Sequence, residues 1–132
     1  MKTRRETFDK SERLCSTKII SGLFENGNIF HSSLFKVVWS KSPVKLPLPA
    51  QIAFSVSKKG FRLAVTRNLI KRRMREAYRK NKYLLYEYLS TENRQVVLVV
   101  IMKGNSVPDY LAIEKSIKEM LTRLIGHIKE TV

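Results

Sequence analysis

Apolar and polar positions change rhythm several times along this chain, and each change marks an element. Across residues 51–58 the period is two: Ile52, Phe54 and Val56 alternate with Ala53, Ser55 and Ser57, as on a strand with one buried face. Residues 34–39 (LFKVVW) predict a second strand, with Phe35, Val37 and Trp39 on one side. Pro43, Pro47 and Pro49 make residues 40–49 a connecting loop, and the two strands are expected to pair across it as an antiparallel hairpin. Residues 96–102 (VVLVVIM) do not alternate at all. A continuous, largely β-branched run of that kind predicts a strand covered on both faces.

A helical period governs the rest. Ile19, Ile20, Leu23 and Phe24 place i, i+4 pairs on a short helix over residues 16–25, and Asn26-Gly27 stops it, glycine being favoured just past a helix end. Ile70, Met74, Ala77 and Tyr78, at offsets i, i+4, i+7 and i+8, predict a second helix over residues 66–83, with a further turn reaching into YLLYEYL. After a turn at 103–109, Ile113, Ile117, Met120, Leu121, Leu124 and Ile128 form the core-facing stripe of a third helix over residues 109–129. Residues 1–13 read as a flexible, basic arm that orders on binding, and the 132 residues make one domain. The predicted order is α-β-β(-β)-α-β-α without an internal repeat. This is an α+β protein, a single-domain α/β sandwich with three helices on a small central sheet.

Charge turns the second helix into a candidate surface. The chain has 26 Lys and Arg against 11 Asp and Glu, a net charge of +15. Residues 58–82 hold eleven of those bases and a single acid, Glu76. At about 100° per residue, Asn68, Lys71, Arg72, Arg75, Arg79 and Lys82 fall on the side away from the apolar stripe, and Arg67 and Arg73 flank it. Ordinary surface helices mix both signs. A rigid row of cations suits a ladder of phosphates, because each neutralised phosphate releases counterions and each arginine offers a bidentate fork. A polyanion also relieves the self-repulsion of +15, which makes nucleic acid the leading partner and an anionic membrane a distant second.

Residues for self-sufficient catalysis are not assembled. His31 and His127 belong to different elements, and His127 reads as a solvated or dipole-stabilising residue near the end of the last helix. No His/Cys group has metal-ligand spacing. Asp9, Glu12, Glu25 and Glu76 are scattered, and Gly60 and Gly104 stand alone rather than in a phosphate-binding loop. No catalytic residue and no metal ligand is therefore assigned. Cys15, the single cysteine, excludes an internal disulfide and favours a reducing compartment. The basic N-terminus lacks the apolar stretch of a signal peptide, and residues 96–102 are too few to span a bilayer. A cytoplasmic protein without membrane contact is expected. A second surface is foreseen on the sheet, where Ser55 and Ser57 beside the aromatics of residues 34–39 could stack unpaired bases. The competing view makes Phe35, Val37 and Trp39 plain core.

One long stretch is similar to a known family. Residues 55–59 (SVSKK), Ala64-Val65 and residues 67–79 (RNLIKRRMREAYR) together resemble the strand-into-helix signature of the protein subunit of bacterial ribonuclease P. Ile20, Leu23, Phe24 and Gly27 are similar to that family's first helix and its closing glycine, and residues 95–103 and 109–124 resemble its last strand and helix. Two places depart from the pattern. Leu69 stands where the family's Arg-Asn-Arg carries its third base, and Gly60-Phe61-Arg62-Leu63 replaces the usual glycine-containing stretch before Ala-Val.

The resemblance implies the family's α/β sandwich, with a left-handed βαβ crossover through the basic helix instead of the usual right-handed one. It implies an endoribonuclease whose active site lies in a large catalytic RNA. That RNA would hold the Mg²⁺ ions and cleave precursor tRNA to leave the mature 5′ end, with no cofactor on the protein alone. The catalytic RNA would be bound by Lys58, Lys59, Arg67, Asn68, Lys71, Arg72, Arg73, Arg75 and Arg79, with one protein monomer per RNA. A cleft lined by Ile20, Phe24, Phe35, Val37, Trp39, Ser55 and Ser57 would hold the single-stranded 5′ leader, stacking less strongly at Ile20, where the family has an aromatic. The alternative is a structural RNA-binding protein of ribosomal type with no substrate contact. A DNA-binding helix protein is weaker still, since no helix-turn-helix spacing or dimerisation heptad is evident.

Overall fold

Residues 7–131 are described in a computed structural model of the chain. Its strands are β1 (Asn28–His31), β2 (Phe35–Lys41), β3 (Ala50–Val56) and β4 (Val96–Met102), and they form one sheet in the order β1-β2-β4-β3. Its helices are α1 (Thr17–Asn26), α2 (Ala64–Asn81), α3 (Tyr83–Thr91) and α4 (Tyr110–Glu130), with a 3-10 turn at Lys10–Glu12 ahead of them. The α+β class and the predicted element order hold, β1 being the optional third strand before the basic helix. The further turn predicted after that helix is a helix of its own. Lys82 keeps helical angles (φ −61°, ψ −22°) and joins α2 to α3, so the described residues hold four α-helices where three are expected.

The expected hairpin is replaced by a different pairing. β4 runs antiparallel to β2 and parallel to β3, so Val100 lies opposite Val37 on one side and Phe54 on the other. β2 ends at Lys41 opposite Val96, and β3 begins at Ala50 opposite the same residue, so the proline loop straddles the start of β4. Gln95 fastens the loop there. Its Oε1 accepts from the Leu46 N–H at 2.8 Å, and its Nε2 donates to the Leu46 carbonyl at 2.7 Å. The parallel β3–β4 pair needs a long crossover, and α2 with α3 supplies it.

Strand alternation sorts side chains between two layers. Phe35, Val37, Trp39, Ile52, Leu98 and Val100 point towards α2, α3 and α4, while Val38, Val97 and Val99 point the other way, into a smaller cluster with Leu14, Leu23 and Leu46. Both faces of β4 are thus covered, which explains its unbroken apolar sequence. Gly27 closes α1, but its backbone is extended (φ −70°, ψ 161°) rather than left-handed. Glycine is required there by contact. A Cβ would stand 2.5 Å from the Leu23 carbonyl oxygen and 2.8 Å from Val38 Cγ1. Gly27→Ala is therefore expected to lower stability by about 1–3 kcal/mol through overpacking, as read from urea unfolding curves; an unchanged midpoint would mean that α1 shifts freely on the sheet.

The flexible arm expected at residues 1–13 is not found over residues 7–13. Residues 1–6 lie outside the described residues, but from residue 7 the segment is packed. The Phe8 ring lies 6.1 Å from that of Phe54 and 5.8 Å from that of Tyr78. Leu14 N–H donates to the Ile52 carbonyl at 3.0 Å, and Arg13 forms a parallel bridge with Ile52 at the outer edge of β3. Glu12 is 1 % exposed and ion-pairs with Lys82, which is 3 % exposed, and the Tyr86 hydroxyl donates to the same Glu12 oxygen at 2.6 Å. The physical reason is that Phe8, Glu12 and Leu14, scattered among polar residues, are each matched by a partner distant in sequence. Among the described residues no helix is long and apolar enough to cross a membrane.

Candidate nucleic-acid interface

α2 is held by its predicted stripe: Ile70, Met74, Ala77 and Tyr78 are fully buried against the sheet and α4. Its outward face is the opposite one, where Val65, Asn68, Leu69, Arg72 and Arg75 line a shallow depression of about 460 Å³. Among the described residues, Arg72 and Arg75 form no hydrogen bond or ion pair within the chain, and both are exposed. Lys71 sits half-buried beside them. Lys58 and Lys59 are exposed in the turn that leads out of β3, where Ser57 Oγ accepts from the Lys59 N–H at 3.1 Å. Gly60 allows this turn to meet the loop after β4, since a Cβ there would collide with the Gly104 carbonyl.

Several cations that charge counting placed on the surface have structural partners. Leu63 precedes α2 without a capping side chain, and Arg67 fastens the junction instead, donating from Nη1 to the Phe61 and Arg62 carbonyls at 2.8 Å each. Arg73 donates to the Pro108 carbonyl at 2.8 Å and ties α2 to the segment leading into α4. Arg79 pairs with Glu76, and its hydrogen bonds hold that carboxyl below the usual carboxylate range. Lys82 departs furthest from expectation. It was expected among the outward cations, but its helical position meets the buried Glu12, and its ammonium points inward. A helical wheel gives the angle of a residue about its own axis; it does not show what another segment lays across that angle.

A second surface lies where α1 crosses the sheet. Ile20 is half-buried there, Phe24 is 53 % exposed, Ser55 is half-buried and Ser57 exposed. Phe35, Val37 and Trp39 do not belong to it. They are at most 2 % exposed, on the face that α2 and α4 cover, because β2 alternates in phase with Ile52, Phe54 and Val56. The residues that β2 and β4 turn towards α1 include Lys36, Val38, Val97, Val99 and Ile101 instead. Sequence reasoning does not single out Lys36, although the even-numbered positions of LFKVVW hold the signal, or Ile101, which the unbroken apolar run of β4 hides. His127 is half-buried and stacks on Phe30, with ring centroids 4.6 Å apart, rather than standing in solvent. Among the described residues no three His, Cys, Asp or Glu side chains converge on a metal position.

The fold and this surface define a class: a basic α+β domain that displays exposed arginines on the outer face of one rigid helix. The chain belongs to the ribonuclease P protein component family, whose family model, Ribonuclease P, matches residues 8–125. It is 33% identical over 119 residues to the ribonuclease P protein component of Porphyromonas gingivalis, covering 90% of this chain and 87% of that one. It is 34% identical over 131 residues to the Chlorobium phaeobacteroides component, covering 91% and 86%. Its fold is that of the RNase P proteins of Thermotoga maritima (TM-score 0.68, 22% identity, covering 85% of this chain and 96% of that one) and Staphylococcus aureus (TM-score 0.64, 21% identity, 87% and 96%).

Proposed function

We propose that this chain acts as the protein component of ribonuclease P, binding the catalytic RNA along the outer face of α2 and steering the 5′ leader of precursor tRNA along the sheet beside α1. The observation that carries this is the pair Arg72 and Arg75, exposed on a buried-backed helix and free of partners among the described residues. Arg67 and Arg73 act one step back in this scheme, by holding the helix at the angle that presents that pair. Lys58, Lys59 and Lys71 extend the cationic track. On the second surface, Phe24 offers a ring and Ser55 and Ser57 offer hydroxyls to unpaired nucleotides. In this reading the RNA holds the Mg²⁺ ions that accompany such chemistry and carries out phosphodiester hydrolysis. The protein supplies binding, orientation and charge screening, in the cytoplasm.

The test is cleavage of precursor tRNA by the matching catalytic RNA at low Mg²⁺, with and without the protein. Rescue of correct 5′ cleavage by the protein, and none from the protein alone, is expected. Phe24→Ala separates this function from that of a structural RNA-binding component. It should weaken processing of substrates carrying a leader and leave binding of the catalytic RNA unchanged, whereas a purely structural component would process equally well in both forms.

A further inference from the structure

We propose that the outer face of α2 holds one unpaired base of the catalytic RNA, seated on Val65 and Leu69, with Asn68 at its edge and Arg72 and Arg75 on the adjoining phosphates. This rests on α2 being the surface that meets that RNA. Val65, Asn68, Leu69 and Arg72 stand at i, i+3, i+4 and i+7, a single stripe opposite the buried one, and they line one depression with Arg75. Val65 is 80 % exposed, and Leu63, just before the helix, is 70 % exposed.

Aliphatic side chains in that position contribute nothing to a helix that binds only phosphates, and here they adjoin one another on the displayed face. They match the flat, weakly polar face of a nucleobase. Asn68 carries a donor and an acceptor on one planar group and can therefore read a base edge. A base-paired RNA helix could not seat a base on the patch, because its bases are stacked face to face and show only their edges in the grooves; the occupant has to be an unpaired nucleotide. The patch is also rigid before binding. Ile70 and Met74 fix the rotation of the helix, and the Arg67 clamp on the Phe61 and Arg62 carbonyls fixes its first turn. A second copy of this chain is a poor occupant, since Lys71, Arg72 and Arg75 border the patch and would face their own counterparts.

The test is the affinity of the full chain for the matching catalytic RNA across a series of salt concentrations, for a Val65→Gln, Leu69→Gln double variant and for Arg72→Ala. Glutamine is uncharged and keeps good helix propensity, and a thermal melt checks that each variant is folded. The glutamine pair should lower affinity about tenfold at every salt concentration, the loss expected for partial burial of two aliphatic side chains, and should leave the slope of log K against log salt unchanged. Arg72→Ala should instead make that slope shallower by about 0.7–0.9, one phosphate's worth of released counterions. Chemical probing of the RNA should find an unpaired nucleotide protected by the wild-type chain and exposed again with the glutamine pair. If the glutamine pair binds like wild type while Arg72→Ala changes the slope, the base site is overturned and RNA binding by α2 stands. If neither variant affects binding, both fall. Self-association of the free protein that the glutamine pair abolishes would also overturn the base site.

Discussion

Lys82→Met is expected to lower the unfolding free energy by about 3–5 kcal/mol, the range for removing one partner of a buried ion pair. The side chains of Lys82 and Glu12 are 4 % and 2 % exposed, and the ammonium also donates to the Thr7 carbonyl. Without it, the Glu12 carboxylate stays buried with the Tyr86 hydroxyl and the Asp9 N–H as its remaining donors among the described residues. A carboxylate left in low dielectric with its countercharge gone is more costly than the pair was favourable. Adding Glu12→Gln to Lys82→Met should therefore recover part of the loss. Urea unfolding at neutral pH measures both, and a loss below about 1 kcal/mol for the single variant would mean that the N-terminal segment swings out and rehydrates Glu12. The same cluster sets an alkaline limit. Burial pushes the Tyr86 phenol, and the Tyr78 phenol beneath it, above the ordinary tyrosine range. A raised folded-state pKa contributes fully below the unfolded value of about 10. Above that pH the unfolded chain loses protons that the folded one keeps, so stability falls as pH rises, and Tyr86→Phe should flatten the fall.

Arg72→Ala combined with Arg75→Ala should weaken binding to the catalytic RNA on the order of 100-fold, about 1.4 kcal/mol for each lost charge-assisted contact. The slope of log K against log salt should become shallower by about 1.4–1.8 for the two phosphates no longer neutralised. Both side chains are exposed and without intrachain partners among the described residues, so folding stability should stay within about 0.5 kcal/mol of wild type. Arg67→Ala makes the informative contrast. Its guanidinium holds two carbonyls at the start of α2, so its removal should lower stability by about 1–2 kcal/mol and leave the salt slope nearly unchanged. Titrating all three proteins against the RNA in a salt series, alongside urea melts, separates cations that contact RNA from those that position the helix. A slope change with Arg67→Ala equal to that for Arg72 would place Arg67 on the RNA as well.

Element type was legible wherever a periodicity ran long enough. The α2 stripe of Ile70, Met74, Ala77 and Tyr78 and the unbroken apolar run of β4 were both readable residue by residue. Pairing was harder, because chain neighbours usually pair and nothing between β2 and β3 announces a strand that arrives some forty residues later. The clue lay in β4 itself, since a strand apolar on both faces belongs in a sheet interior and needs a neighbour on each side. Charge was the less trustworthy guide. The stretch from Lys58 to Lys82 looks like one uniform basic surface, yet Arg67, Arg73, Arg79 and Lys82 are partnered by two loops, Glu76 and Glu12. Helical spacing shows only the Glu76–Arg79 pair, at i, i+3; the other partners are loop carbonyls and a remote acid, which it cannot reveal. Phe35, Val37 and Trp39 were assigned to the wrong side of the sheet for a related reason: alternation divides a strand into two faces, and only the packing of α2 and α4 decides which face is inside.

The central place of β4 has a consequence for how the molecule is made. β2 and β3 have no contact through which to build a sheet until residues 96–102 lie between them. A nascent chain that has just finished α2 must still extend by some twenty residues, about one to four seconds of synthesis at typical rates. During that interval the cationic helix lacks α4 and the completed sheet it packs on, and unpaired strands and bases are exposed together. Non-local closure of this kind is also slow in itself. If α2 is the RNA-binding surface, the unfinished chain carries its attraction for phosphates before it has the shape that selects among RNAs.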